Sequence, residues 1–204
     1  MYISIAGNIG AGKTSLTHLL AQHLQYIPHY ENIEHNPYIH DFYHNMKKWA
    51  FHLQIFFLSD RFKQIKSFET NKSIIQDRTI YEDAYIFAAN LNQMGLLNSR
   101  DYQAYLLLFE LIKPFITPPN LLIYLRASVP TLISQIKKRG RQYENTIEPN
   151  YLLRLNQYYE HWIKQYPYPL LIFDIDQFDF IEKKQDLEHI LLQVNQTIQS
   201  FAKS

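Results

Sequence analysis

The stretch "GNIGAGKTS", residues 7–15, meets the spacing G-x-x-x-x-G-K-[ST] through Gly7, Gly12, Lys13 and Thr14. In that pattern backbone N–H groups cradle phosphates, the lysine reaches the β- and γ-phosphates, and the hydroxyl faces Mg²⁺. Asn8, Ile9, Gly10, Ala11 and Ser15 complete the loop. Glycine recurs because the backbone must approach an anion closely, in conformations that a Cβ disfavours. Before the loop, Tyr2-Ile3-Ser4-Ile5-Ala6 reads as a short buried strand; after it, Leu16, Leu19, Leu20 and Leu24 recur at helical spacing. Strand, loop, helix is the order a phosphate-binding loop requires. The chain is expected to bind a nucleoside triphosphate.

Working outward, further short apolar runs lie at 26–30, 73–76, 121–125 and 170–173, separated by helix-length segments. That alternation predicts an α/β fold, a parallel sheet covered by helices. No repeat or linker divides the 204 residues, so a single domain, 1–204, is expected. A formal net charge of +1 argues against bulk attraction to nucleic acid or an anionic membrane. No apolar stretch approaches the length of a membrane span, and none has the form of a signal peptide. The absence of cysteine removes disulfides and thiolate metal sites and fits the cytoplasm.

In such sheets ligands gather at the carboxyl ends of the strands. There the sequence offers Glu31, then Asp77-Arg78-Thr79 with Asp83, then Arg126 and a basic run, Lys137-Lys138-Arg139-Gly140-Arg141. Phosphoryl transfer needs a metal anchor, a group that orients the nucleophile, and cations for the charge in flight. Asp77 can hold Mg²⁺ beside Thr14, Glu31 can accept a proton from an acceptor hydroxyl, and Arg78, Arg139 and Arg141 can neutralise charge. Each has a plainer reading: a solvated loop carboxylate, a structural ion pair, a solvated helix end or nucleic-acid patch. Gly140 breaks the basic helix, which suits a movable lid over about 137–148.

The segment 38–69 reads as long, helical and aromatic. Gln54 and Arg61 lie within about 20° of one stripe, and so does Tyr43 if the helix is continuous. An amide, a guanidinium and aromatic rings suit a planar base with hydrogen-bonding edges. A polar stripe facing water is the alternative. Between 31 and 61 the only cations are Lys47, Lys48 and Arg61, too few to clamp a phosphorylated acceptor. The rival functions are a thymidylate-like monophosphate kinase and a P-loop nucleotide sensor without acceptor chemistry.

The ordered set "GNIGAGKT", "ENIEHNPYIHDFY", Gln54 to Arg61, "DRTIYEDAYIF" and "KKRGRQYE" resembles the deoxynucleoside kinases, especially the bacterial deoxyadenosine/deoxyguanosine kinase branch, over nearly the whole chain. The resemblance implies a P-loop NTPase-type fold with five parallel strands, ATP with Mg²⁺ as donor, a deoxynucleoside as acceptor, and a helical homodimer interface. It implies Glu31 as base for the 5′-hydroxyl and Arg78 as its orienting cation. Tyr43 and Glu144 would bind the 3′-hydroxyl, while Gln54, Arg61 and Asp83 would read the base. Deoxyadenosine is expected first, then deoxycytidine or deoxyguanosine, with thymidine poor. The donor base is expected near Asp176 to Phe180. Two positions depart from the pattern: Asn32 stands where animal relatives carry proline, and Gln135 where the lid often has another arginine.

Overall fold

A computed structural model describes residues 1–69 and 71–201, so Thr70 and 202–204 of the expected 1–204 domain lie outside the described residues. Five parallel strands, β1 (Tyr2–Gly7), β2 (Ile27–His29), β3 (Ile74–Asp77), β4 (Leu121–Arg126) and β5 (Leu170–Asp174), form one sheet in the order β2-β3-β1-β4-β5. Because each crossover returns the chain to the same edge, all strands end on one side, where Gly7 stands level with Leu125 and Ile5 with Asp77. The central strand therefore delivers the phosphate loop into the middle of that edge.

Alternation along the strands divides the core in two. Ile3, Ile5, Ile123 and Leu125 face α1 (Lys13–Leu24), α7 (Val129–Arg139) and α9 (Lys184–Phe201), through Leu16, Leu20, Leu132, Ile136, Ile190 and Val194. Ala6, Leu122 and Tyr124 face α3 (Met46–Lys66), α6 (Ser99–Ile112) and α8 (Pro149–Lys164), through Leu53, Phe109, Leu155 and Tyr159. The central strands β1 and β4 are buried on both faces, which explains why their runs are nearly continuous in small or apolar residues, whereas the edge strands β2 and β5 are only partly covered.

Two expectations change. The runs 26–30 and 73–76 contract or shift to β2 and β3, which makes Asp77 the last residue of a strand. The segment 38–69 is not one helix: α2 (Ile39–His44) stops at Asn45, whose φ of −147° and ψ of 82° are extended and whose side chain caps α3 by accepting from the Lys48 N–H. Asparagine competes well as an N-cap, so the helix restarts there at a new angle. After β3 the chain turns into α4 (Ile80–Glu82), widens into a π-helix at Asp83–Ala88 and closes as α5 (Ala89–Gln93). Such wide turns are rare and concentrate at functional sites.

Candidate active site

The phosphate loop is shaped by what its glycines exclude. At φ +88°, a Cβ on Gly10 would sit 2.8 Å from the Leu132 carbonyl oxygen, so only glycine lets α7 pack this close. Gly12, left-handed at φ 89°, opens α1 and presents the helix N-terminus to the loop. The buried Lys13 ammonium donates to the Asn8 carbonyl at 3.0 Å; burial, then the Arg78 charge, lowers its pKa to about 8. Thr14 donates its hydroxyl to Asp77 Oδ2 at 2.5 Å. Asp77 Oδ1 is buried with no hydrogen-bond partner among the described residues, and burial raises this carboxyl. Among the described residues no group of three or more His, Asp or Glu could hold a metal. A hydroxyl and an unpartnered carboxylate oxygen fit Mg²⁺, which takes few protein ligands and completes its shell with water and phosphate oxygens.

Arg61 sits beneath these groups and is nearly inaccessible, at 2% exposure. Its Nε donates to Asp83 at 2.5 Å, Nη1 to the carbonyls of Asp77 and Arg78 at 3.2 and 3.1 Å, and Nη2 to Glu31 at 2.8 Å. Gln54 and Arg61 thus lie on the buried stripe of α3 rather than facing water. With its fork directed at protein acceptors, Arg61 does not line the cavity, whereas its partners Asp83 and Glu31 do. Burial pushes the Asp83 carboxyl up to about 6, against the pull of Arg61.

Glu31 accepts from Arg61 and pairs with Arg78 Nε at 3.1 Å. Burial would raise this carboxyl, but Arg78, Arg61 and Lys13 together hold it at about 2. Arg78 has φ 71°, a left-handed conformation that costs a non-glycine residue roughly 1–3 kcal/mol and persists only where its surroundings impose it. Here its N–H binds the Ile5 carbonyl at 2.9 Å, its carbonyl accepts from Arg61, and its guanidinium lies 4.3 Å from the Phe87 ring centre.

One cavity joins the two halves, lined by Lys13, Thr14, Glu31, Tyr43, Gln54, Arg78, Asp83, Arg139, Arg141 and Glu144. Tyr43 arrives from α2 and stacks on Tyr143 at 5.4 Å between ring centres. Gln54 Oε1 is buried without a hydrogen-bond partner among the described residues. Arg139 ends α7 and grips Glu144 through Nε at 3.0 Å and Nη2 at 2.6 and 2.7 Å, while Arg141 Nη1 lies 3.6 Å away. The helix stops between them at Gly140, φ 71°. Sequence reasoning missed Phe87, Tyr143 and Tyr151 in the lining. Phe87, four residues after Asp83 in the π-turn, had a spacing signal; Tyr151 lies in an apolar helix stripe and had none.

Both departures from the resembled pattern find a physical place. Asn32 donates to Asp60 on α3 at 3.2 Å, so a side-chain bond anchors the loop after Glu31 where a proline is missing. Gln135 lines a second cavity with Gly10, Gly12, Thr131 and the segment Ile175–Ile181. Arg126 is elsewhere, tied to Glu160 at 2.7 Å on the surface.

Residues 3–199 match the family model described as deoxynucleoside kinase. The chain belongs to the deoxynucleoside kinase family. It is 37% identical to the deoxyadenosine/deoxycytidine kinase of Bacillus subtilis over 200 residues, covering 96% of this chain and 92% of that one. It is 39% identical to a deoxyguanosine kinase of Lactobacillus acidophilus over 203 residues, covering 94% and 88%. A solved structure of deoxyadenosine kinase from M. mycoides with bound dATP superposes with a TM-score of 0.84 at 34% identity, covering 96% and 99%. The protein is a kinase of deoxynucleosides with a nucleotide phosphate donor. The monophosphate-kinase and sensor alternatives fall away. No helix among the described residues is long and apolar enough to cross a membrane.

Proposed function

We propose that this chain is one cytoplasmic kinase domain that transfers the γ-phosphoryl group of ATP to the 5′-hydroxyl of a deoxynucleoside, deoxyadenosine foremost. The observation that carries this reading is that Glu31, between two arginines, lines the same cavity as Lys13 and the polar groups Gln54 and Asp83. Backbone N–H groups of residues 7–15 and Lys13 hold the donor phosphates. Glu31 accepts a hydrogen bond from the 5′-hydroxyl and takes its proton as the oxygen bonds to phosphorus and the β–γ bridge breaks to release ADP. A carboxylate held at about 2 is a weak base, which suits a loose transition state whose proton moves late. Arg78 faces the transferring group, and Arg139 and Arg141 on the lid 137–148 add charge above it. Mg²⁺ held by Thr14 and Asp77 would neutralise charge on the donor phosphates.

Tyr43 and Glu144, in the cavity wall, hold the 3′-hydroxyl. Asp83 only accepts, so it selects a base with an exocyclic amino group and repels the O4 of thymine, while Gln54 can serve either role. A buried acceptor left unpaired makes that rejection steep. Relatives of similar identity act on adenine, cytosine and guanine deoxynucleosides, all of which carry such an amino group. The near-neutral charge supports a small-molecule partner and no nucleic acid. A panel of the four deoxynucleosides and the ribonucleosides with MgATP tests the reading. Deoxyadenosine leading and thymidine trailing is expected; thymidine used as well as deoxyadenosine overturns the base-edge reading.

A further inference from the structure

Behind Arg78 lies a buried polar cluster that the reaction above does not use. Tyr159, fully buried on α8, places its hydroxyl 2.7 Å from the Gly7 carbonyl oxygen and 2.8 Å from Glu82 Oε1. Its single proton goes to one of these acceptors at a time, and its lone pair receives Arg78 Nη1–H at 3.0 Å. Glu82 is equally inaccessible. Its Oε2 accepts from the Thr79 N–H at 2.6 Å and the Thr79 hydroxyl at 3.0 Å, closing a capping box at the start of α4. Its Oε1 also faces the Gly7 N–H at 3.3 Å and Arg78 Nη1 at 3.9 Å. Tyr159 is wedged from both sides, stacked on Tyr124 at 5.6 Å and edge-on to Phe87 at 6.4 Å.

One hydroxyl thus touches the backbone of the residue that opens the phosphate loop and the side chain of the cation that pairs with Glu31. Those two groups come from the end of β1 and from the residue that follows β3, and nothing within either strand sets the distance between them at side-chain level. Arg78 also needs external restraint, because its backbone is held left-handed. We propose that Tyr159, backed by Glu82, is a positioning residue for phosphoryl transfer: it sets the Arg78 guanidinium in register with the phosphate loop, without touching donor or acceptor. This rests on the kinase reading of the site. A tyrosine that only filled the core would need one partner for its hydroxyl; this one joins two parts of the reaction centre.

Tyr159→Phe removes the hydroxyl and keeps the ring. With kinetics measured well below the melting temperature of each variant, kcat is expected to fall about tenfold while KM for deoxyadenosine and for ATP each change less than about twofold. In an Arg78→Lys background, which loses the planar fork, the same replacement should change kcat by less than about twofold, because the two residues act as one unit. Costs that multiply in the double variant, or losses confined to KM, overturn the positioning role. So does an undiminished kcat. If Tyr159→Phe does not fold, Glu82→Gln, which keeps size and one oxygen, carries the same comparison with the same expected pattern. A wild-type protein inactive on every deoxynucleoside overturns the site reading itself, and the positioning role with it; an active wild type beside an unimpaired variant overturns the positioning role alone.

Discussion

At the scale of single residues, the site is governed by charge held out of water. Glu31 stays ionised because two guanidiniums and Lys13 outweigh its burial. Replacing it with glutamine keeps the shape, loses the proton acceptor and leaves Arg61 and Arg78 undercompensated. Turnover should fall about 10²–10⁴-fold with nucleoside affinity nearly intact. Retention of more than roughly a tenth of wild-type kcat would show that Glu31 is not the group that takes the proton. Lys13 makes the complementary prediction. Its pKa is depressed to about 8, so in the free enzyme the ammonium is protonated below that pH and neutral above it. Phosphate binding favours the protonated form; ATP affinity should therefore be flat at lower pH and weaken by up to about tenfold per unit above pH 8. Titration of KM for ATP between pH 6 and 10 checks the sign, and Lys13→Arg should remove the inflection.

At the scale of elements, the end of α7 and the π-turn decide what the residues can reach. Arg139 and Arg141 straddle the left-handed Gly140 at the end of α7, and Arg139 is bound to Glu144 in two-pronged contact. A guanidinium so held has a fixed direction, and Glu144 lies close beneath it in the cavity wall. Arg139→Ala should lower kcat and kcat/KM for ATP together by roughly 10-fold or more, as expected for a contact made in the transition state. Lys13→Ala should in addition raise KM for ATP, because its ammonium meets the phosphates before reaction. Steady-state kinetics of the two variants side by side separate the roles; normal turnover in Arg139→Ala would return the basic run to a solvated helix end. The π-turn contributes to the cavity wall. Its Asp83 and Phe87 both line the cavity, while Glu82, one residue earlier, points back to the phosphate loop.

At the scale of the whole molecule, α6 leaves apolar surface uncovered. Tyr105 and Phe109 on its inner side are fully buried within the chain. The outward row is Leu107, Leu108 and Leu111, with Phe115 just beyond, exposed by 68%, 40%, 70% and 67%. Spacings of one and three residues keep the three leucines on one side of α6, and Phe115 follows in the turn after it, contiguous enough to favour association. We expect a homodimer through this face. Light scattering at micromolar concentration should give twice the chain mass, and Leu107→Glu with Leu111→Glu should give the monomer. A monomeric wild type would remove the expectation.

The phosphate loop, the parallel sheet and the identity of most candidate site residues were legible in the sequence, because each rests on local chemistry: glycine where the backbone nears an anion, apolar runs where a strand is buried twice, a carboxylate or arginine just past a strand end. Other features were decided only by tertiary contacts. Asn45 looks like any polar helix residue until its side chain is seen capping α3, and that break, not helical spacing, brings Tyr43 to the cavity. Arg61 sits on the expected stripe, yet whether its fork faces a base or the protein depends on acceptors from residues 31, 77, 78 and 83, which come together only when β2, β3 and the π-turn are assembled. Tyr159 reads as one more core aromatic at helical spacing. Its hydroxyl gains a role only from Gly7 and Arg78, which lie 152 and 81 residues away in sequence, and no local pattern encodes partners at that distance.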